Sequence, residues 1–273
     1  MLNINTNYGA SFAANAAKQT TKGLDSAIEK LSSGSRINYA RDDAAGQAVS
    51  MRLAAEVQGL ATASRNAADA QSMLDTAEGA MQETHSVLLR MRELAVQGAN
   101  GTLTSSDLSA LDAEFQQLEA EVDRIAANTT WAGKNLLTSL AVTFQVGTGN
   151  TSNDRISVTM PDADSTSLGI TGAVAVTSMA GAQSAITVLD TAISKISEER
   201  GRLGALSNRL GSTISNLDQI GVNLAQSKAR IQDTDFASVT SDLARNQIMQ
   251  QAATAMLAQA NASKGSVLTL IRN

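Results

Sequence analysis

The chain has no cysteine, one proline and one histidine among its 273 residues, and aromatic side chains make up only 3% of it. The first absence removes disulfides, thiolate metal sites and cysteine nucleophiles together. A catalytic or metal role for the lone His85 would need partners that the chain does not supply, so it reads as a solvated helix residue. HExxH, GxSxG and phosphate-cradling glycine loops are also missing, and no enzyme, metal or cofactor is expected. Positive charge is in deficit: 21 Lys and Arg against 26 Asp and Glu leave a formal net charge of −5. That leaves no basic footprint for a nucleic acid. No run approaches the length of an apolar membrane span, which excludes membrane insertion. The start MLNINTNYGASF lacks the basic and apolar parts of a cleaved signal.

What is present is an apolar content of 43%, carried largely by Ala, Leu, Ile and Val. This suits long helices packed closely through small residues. An aliphatic residue recurs at every seventh position in Leu189, Ile196, Leu203, Leu210, Leu217, Leu224 and Ile231. The repeat predicts one continuous helix with a fixed buried seam, on the order of 70 Å long. Companion positions are mixed, with Arg200, Ser207, Gly221 and Lys228 among them, so this helix must lie against partners. A second heptad runs through Leu60, Ala67, Leu74, Met81, Leu88 and Ala95, with Ala63, Ala70, Ala77, Thr84, Met91 and Gly98 beside it. Its alanine-rich side is where the 189–231 helix is expected to pack. The turn Gly98-Ala99-Asn100-Gly101 ends it, and Thr104 to Asp107 can cap a third helix carrying Leu108, Leu111, Phe115, Leu118, Val122 and Ile125. Three helices with matching seams make a bundle.

Between 138 and 184 the period changes to two, with Val142, Phe144 and Val146 and then Ile156, Val158 and Met160 alternating around a turn-rich stretch. A β-hairpin followed by loops is expected there, as an outward insertion. The two ends of the chain carry sparse apolar residues: Ile4, Tyr8, Phe12, Leu24, Ile28 and Leu31 at one, and Phe236, Val239, Leu243, Ile248, Met249, Met256 and Leu257 at the other. Helices so weakly amphipathic cannot bury themselves alone, and they are expected to pair with one another and then with other copies. Asp42 and Asp43 read as helix caps, Glu198, Glu199 and Arg200 as a surface charge cluster, and Met73, Met81, Met91, Met249 and Met256 as core filling by default, with sliding interfaces as the sharper alternative.

Several stretches, in order, resemble bacterial flagellin, the subunit of the flagellar filament. These are INTN at 4–7, LSSGSRINYARDDAAGQAVSMRL at 31–53, MRELAVQGANGT at 91–102, FQVG at 144–147, RLGALSNRL at 202–210 and ARIQDTDFASVTSDLARNQIMQQAATAMLAQAN at 229–261. One departure is Trp131-Ala132-Gly133, where that family usually has phenylalanine and asparagine before the glycine. The middle is also too short for the outer domains of large flagellins. The resemblance implies a mainly α, elongated antiparallel bundle or coiled-coil rod with a small hairpin. In it, 1–40 and 235–273 would form an inner filament core domain and 41–234 the rod domain. It implies a secreted, non-enzymatic motility protein, exported by a type III apparatus, whose thirteen apolar end residues named above serve self-assembly. Implied partners are other flagellin copies in a homopolymer or mixed filament, an export chaperone on the C-terminal helix, and the filament cap and hook-filament junction proteins. Arg90, Leu94 and Glu114 match positions that a vertebrate innate receptor contacts in recognised members, while their plain reading is subunit packing or surface salt pairing, and the two are compatible. The rival reading is another axial protein such as the junction subunit, which normally lacks the LSSG to DDAAG block together with ARIQDTDFA.

Overall fold

The computed structural model describes residues 6–172 and 174–272, with side chains described as far as residue 263. The elements are α1 (Tyr8–Ser33), α2 (Ala44–Gly98), α3 (Ser105–Asn128), β1 (Thr130–Trp131), β2 (Lys134–Asn135), β3 (Ala141–Gln145), β4 (Arg155–Thr159), α4 (Ser165–Leu168), α5 (Met179–Gln232) and α6 (Phe236–Arg272). Two compact units emerge, a terminal unit of Met1–Ala55 with Asn223–Asn273 and a central unit of Glu56–Val222. The sequence suggests boundaries at 40/41 and 234/235, which are the breaks between helices. The compact units instead divide within α2 and α5, because each long helix serves both.

Helix ends follow local chemistry. The Asn7 side chain accepts from Ala10 N at 3.1 Å to start α1, and Gly34 closes it with φ 69°, a conformation glycine adopts without a Cβ penalty. Asp43 accepts from Gly46 N at 2.8 Å at the start of α2. Asp42 instead binds the two amides before it, Asn38 N at 3.1 Å and Tyr39 N at 3.0 Å. Thr104 and Asp107 form a reciprocal capping box on α3. Hydrogen bonding by Thr104 holds the Asp107 carboxyl below its ordinary pKa.

In the central unit the two expected seams are the core. Leu189, Ile196, Leu203 and Leu210 on α5 are at most 1% exposed, and Ala67, Ala70, Leu74, Ala77, Met81, Leu88 and Met91 on α2 match them. The helices run antiparallel in fixed register, with Ser64 bonded to Asp218, Gln71 to Ser207, Glu78 to Arg200 and Arg92 to Asp190. Arg200 therefore spans two helices, its Nη2 2.6 Å from Glu78, instead of belonging to a cluster with Glu198 and Glu199. Helix α3 adds Phe115, Val122 and Ala126 to the same cluster. At the end of α2 the packing is close enough to require glycine, since a Cβ on Gly98 would collide with Val176.

Strands β3 and β4 pair antiparallel with Val142 opposite Val158 and Phe144 opposite Ile156. Ile156 and Val158 are each 4% exposed, so this face covers the helices while Thr143 and Ser157 face out. The segment after β4 is tied down by Asp112, 8% exposed, which accepts from Val176 N at 2.8 Å. Helix α5 begins at Met179, inside the stretch expected to be loop to 184, because Ser178 caps it through Gly181 N at 3.1 Å.

Strands β1 and β2 form a second, unforeseen hairpin, closed by Ala132 at φ 48° and Gly133 at φ 78°. Two positive φ values in a two-residue loop define the turn that favours Asn-Gly. This gives the departure at Ala132 a physical meaning: an alanine methyl sits where asparagine is better tolerated. Ala132→Asn is expected to stabilise the protein by about 1 kcal/mol, raising the melting temperature by roughly 2–4 °C. An unchanged thermal transition in that variant would show that the turn carries no strain.

Candidate functional site

The terminal unit is built on α1 and α6, which lie side by side and antiparallel. Asn7 Nδ2 donates to the Ala260 carbonyl at 3.1 Å near one end, and Gln250 Nε2 reaches Thr21 Oγ1 at 3.4 Å further along. The two connectors are stapled together as well. Arg36 N donates to the Gln232 carbonyl at 2.7 Å, Thr234 N to that of Gly34 at 3.0 Å, and Arg36 Nη2 to that of Ile231 at 2.7 Å.

The seam between α1 and α6 is made of small residues. Ala13, Thr20 and Ala27, seven apart on α1, are 3–5% exposed, and Ala253 on α6 is 7% exposed. Leu24, Leu31, Val239, Leu243 and Leu257 are half-buried along the same line, as are the polar Asn246 and Gln250. Gly23 admits Asn246, whose amide would meet a Cβ there at 2.8 Å. Such a seam fixes register but buries little apolar surface, and it holds the pair only weakly.

The expected end residues therefore separate into two sets. Leu24, Leu31, Val239, Leu243 and Leu257 turn inward. Tyr8 at 69% exposure, Phe12 at 79%, Ile28 at 51%, Phe236 at 55%, Ile248 at 68%, Met249 at 47% and Met256 at 65% face outward. Met249 and Met256 are thus not core filling, unlike Met73, Met81 and Met91. Ile4 lies outside the described residues. The small-residue seam has a sevenfold spacing in the sequence, but its residues are too small to stand out as an apolar stripe. Between the two helices opens a groove of about 440 Å³, lined by Phe12, Ala13, Ala16, Met249, Ala253 and Met256 among others.

Of the positions matched to receptor contacts, Leu94 is 1% exposed and belongs to the core of the central unit, so its side chain is not presented at the surface of this fold. Arg90 and Glu114 are exposed and joined at 2.8 Å, with Glu93 also 3.0 Å from Arg90. The hydrogen bonds that Arg90 donates to Glu114 and then to Glu93 raise its pKa, keeping the guanidinium charged. Among the described residues, no group of three or more His, Asp or Glu is placed to hold a metal ion, and no helix is long and apolar enough to cross a membrane.

Comparison with known proteins agrees with this architecture. The bacterial flagellin N-terminal helical region matches residues 4–141 and the bacterial flagellin C-terminal helical region matches residues 186–271. The chain is 44% identical over 247 residues to a flagellin of Halalkalibacterium halodurans, covering 90% of this chain and 91% of that protein. It is 38% identical to a flagellin of Bacillus subtilis, covering 99% of this chain and 100% of that one. The crystal structure of Bacillus cereus flagellin aligns with a TM-score of 0.51 at 37% identity, over 56% of this chain and 88% of the other. Matched along nearly its whole length, with paired end helices and a helical central unit, the chain belongs to the bacterial flagellin family and is a structural, non-enzymatic subunit of the extracellular flagellar filament.

Proposed function

We propose that the outward faces of α1 and α6 are the surfaces through which successive copies join, so that the paired end helices form the inner layer of the filament. The central unit then forms the layer outside it. The observation that carries this reading is that seven large apolar side chains on the two paired helices are left exposed. Burying one such side chain is worth about 1.5–3 kcal/mol when complete. At the observed exposures the seven together hold roughly 6–13 kcal/mol, comparable with the cost of about 4–15 kcal/mol for fixing one protein against another. A single copy cannot recover that energy. A copy arriving at a growing end can, and its own α1–α6 pair is consolidated at the same moment. Contacts of this kind, joining different surfaces head to tail, propagate as a helical array instead of closing into a dimer.

The same face accounts for the other partners that the family resemblance implies. An export chaperone covering α6 before assembly would shield Phe236, Ile248, Met249 and Met256 from premature contact. Cap and hook-filament junction proteins would meet the same surfaces at the two ends of the polymer. Exposed Arg90 and Glu114 remain available to a receptor, with Leu94 acting behind them as support for α2.

Leu243→Asp tests the pairing. A charge in the half-buried seam is expected to separate α6 from α1, so that both become readily cleaved by limited proteolysis while the central unit resists, and filaments do not form. Filaments of ordinary length from that variant would refute the assigned inward face.

A further inference from the structure

The described methionines fall into two classes. Met73, Met81, Met91 and Met160 are at most 4% exposed, whereas Met51, Met179, Met249 and Met256 are 47–65% exposed. Of these, Met249 and Met256, seven residues apart on one face of α6, line the groove beside Phe12. Two accessible thioethers thus stand in the middle of the surface assigned to subunit contact.

We propose that Met249 and Met256 form an oxidation-sensitive gate on assembly: hydroperoxides convert them to sulfoxides in the free subunit, and a subunit so modified does not extend the filament. The inference rests on the assembly reading above. In the reaction the sulfur lone pair attacks the distal peroxide oxygen and the O–O bond breaks. One oxygen becomes S=O, and the other takes up a proton and leaves as water or an alcohol. Sulfur is oxidised by two electrons and the peroxide is reduced by two. Selectivity follows from access, since the four buried sulfurs are shielded by the core of the central unit.

The block follows from polarity. A thioether is a weak acceptor that packs as a hydrophobe, whereas a sulfoxide oxygen is a strong acceptor that loses its water when the face is covered. The groove is walled mainly by Phe12, Ala13, Ala16 and Ala253; the hydroxyls of Thr20 and Ser263 already donate to the Ala17 and Ala260 carbonyls at 2.9 and 3.0 Å, which leaves Gln259 as the remaining polar side chain on its lining. Once a subunit is in place, the same two sulfurs are covered and the polymer is protected.

The test treats purified full-length subunit with hydrogen peroxide, maps the sulfoxides by peptide mass spectrometry, and measures growth from filament seeds. Oxidation of Met249 and Met256 is expected before that of Met73, Met81, Met91 and Met160, with the critical concentration rising about tenfold or more. The double variant M249L/M256L, given the same peroxide, is expected to grow at its untreated rate, and enzymatic reduction of the sulfoxides is expected to restore treated wild type. Undiminished growth of wild type bearing both sulfoxides would overturn the proposal, as would equal inhibition of the leucine variant. If the leucine variant does not grow at all, the reductase decides: recovery supports the gate and lack of recovery overturns it. Failure of untreated wild type to extend seeds would instead remove the assembly reading underneath.

Discussion

A chain carrying Phe12→Asp or Ile248→Asp is expected to fold as the unaltered chain does and to build no filaments. These side chains are 79% and 68% exposed, so neither substitution removes packing inside the subunit. Exposed changes of this kind move stability by about 0.5 kcal/mol or less. Within the polymer the balance reverses, because an unpaired carboxylate would be enclosed by apolar surface. Such a defect costs about 3–5 kcal/mol, or roughly a hundredfold to several thousandfold in the affinity of each addition. Circular dichroism and thermal melting should match wild type, while seeded growth followed by electron microscopy should be absent. Normal filaments from both variants would show that the outward face is not the contact face. The pair of results separates this surface from the seam, since Leu243→Asp is expected to disturb the α1–α6 pair itself.

Phe115→Ala is expected to have the opposite profile, a large loss of stability in the central unit. Phe115 is 0% exposed on α3 and is part of the core shared with Met91, Leu94 and Leu189. Truncating a buried phenylalanine removes both its transfer free energy and the contacts around it, about 3–5 kcal/mol in all. For a unit of this size that corresponds to a melting temperature lowered by roughly 6–20 °C. A shift of less than a few degrees would mean that α3 is not packed as described. The two phenylalanines make a matched pair because the side chain is the same: at 115 it is expected to stabilise one molecule, and at 12 to join that molecule to the next.

How much of this was legible depended on whether burial and periodicity coincide. They do from Leu189 to Leu217 and from Leu60 to Gly98, where each seventh residue is buried, so the core of the central unit could be written from the sequence. They also coincide in the alternation of Val142 and Phe144 against Ile156 and Val158. They do not coincide in the end helices, where the inward residues are Ala13, Thr20, Ala27 and Ala253 and the larger apolar ones mostly point away. A reading that looks for large hydrophobes there merges two faces into one. Leu94 is buried for the converse reason. Helix α2 is covered by both α3 and α5, and its apolar face is wider than a two-position heptad. The hairpin of β1 and β2 escaped because strands of two residues have no period to detect.

The hydrogen bond between Asn7 and Ala260 joins residues 253 apart in the chain. At ribosomal speeds of about 5–20 residues per second, α1 waits roughly ten to fifty seconds after its own synthesis before the matching stretch of α6 exists. Through that interval a helix this weak has nothing to zip onto, and the nascent chain stays pliable. Timing set by the genetic order of the segments thus postpones polymer-competent structure until translation is nearly done.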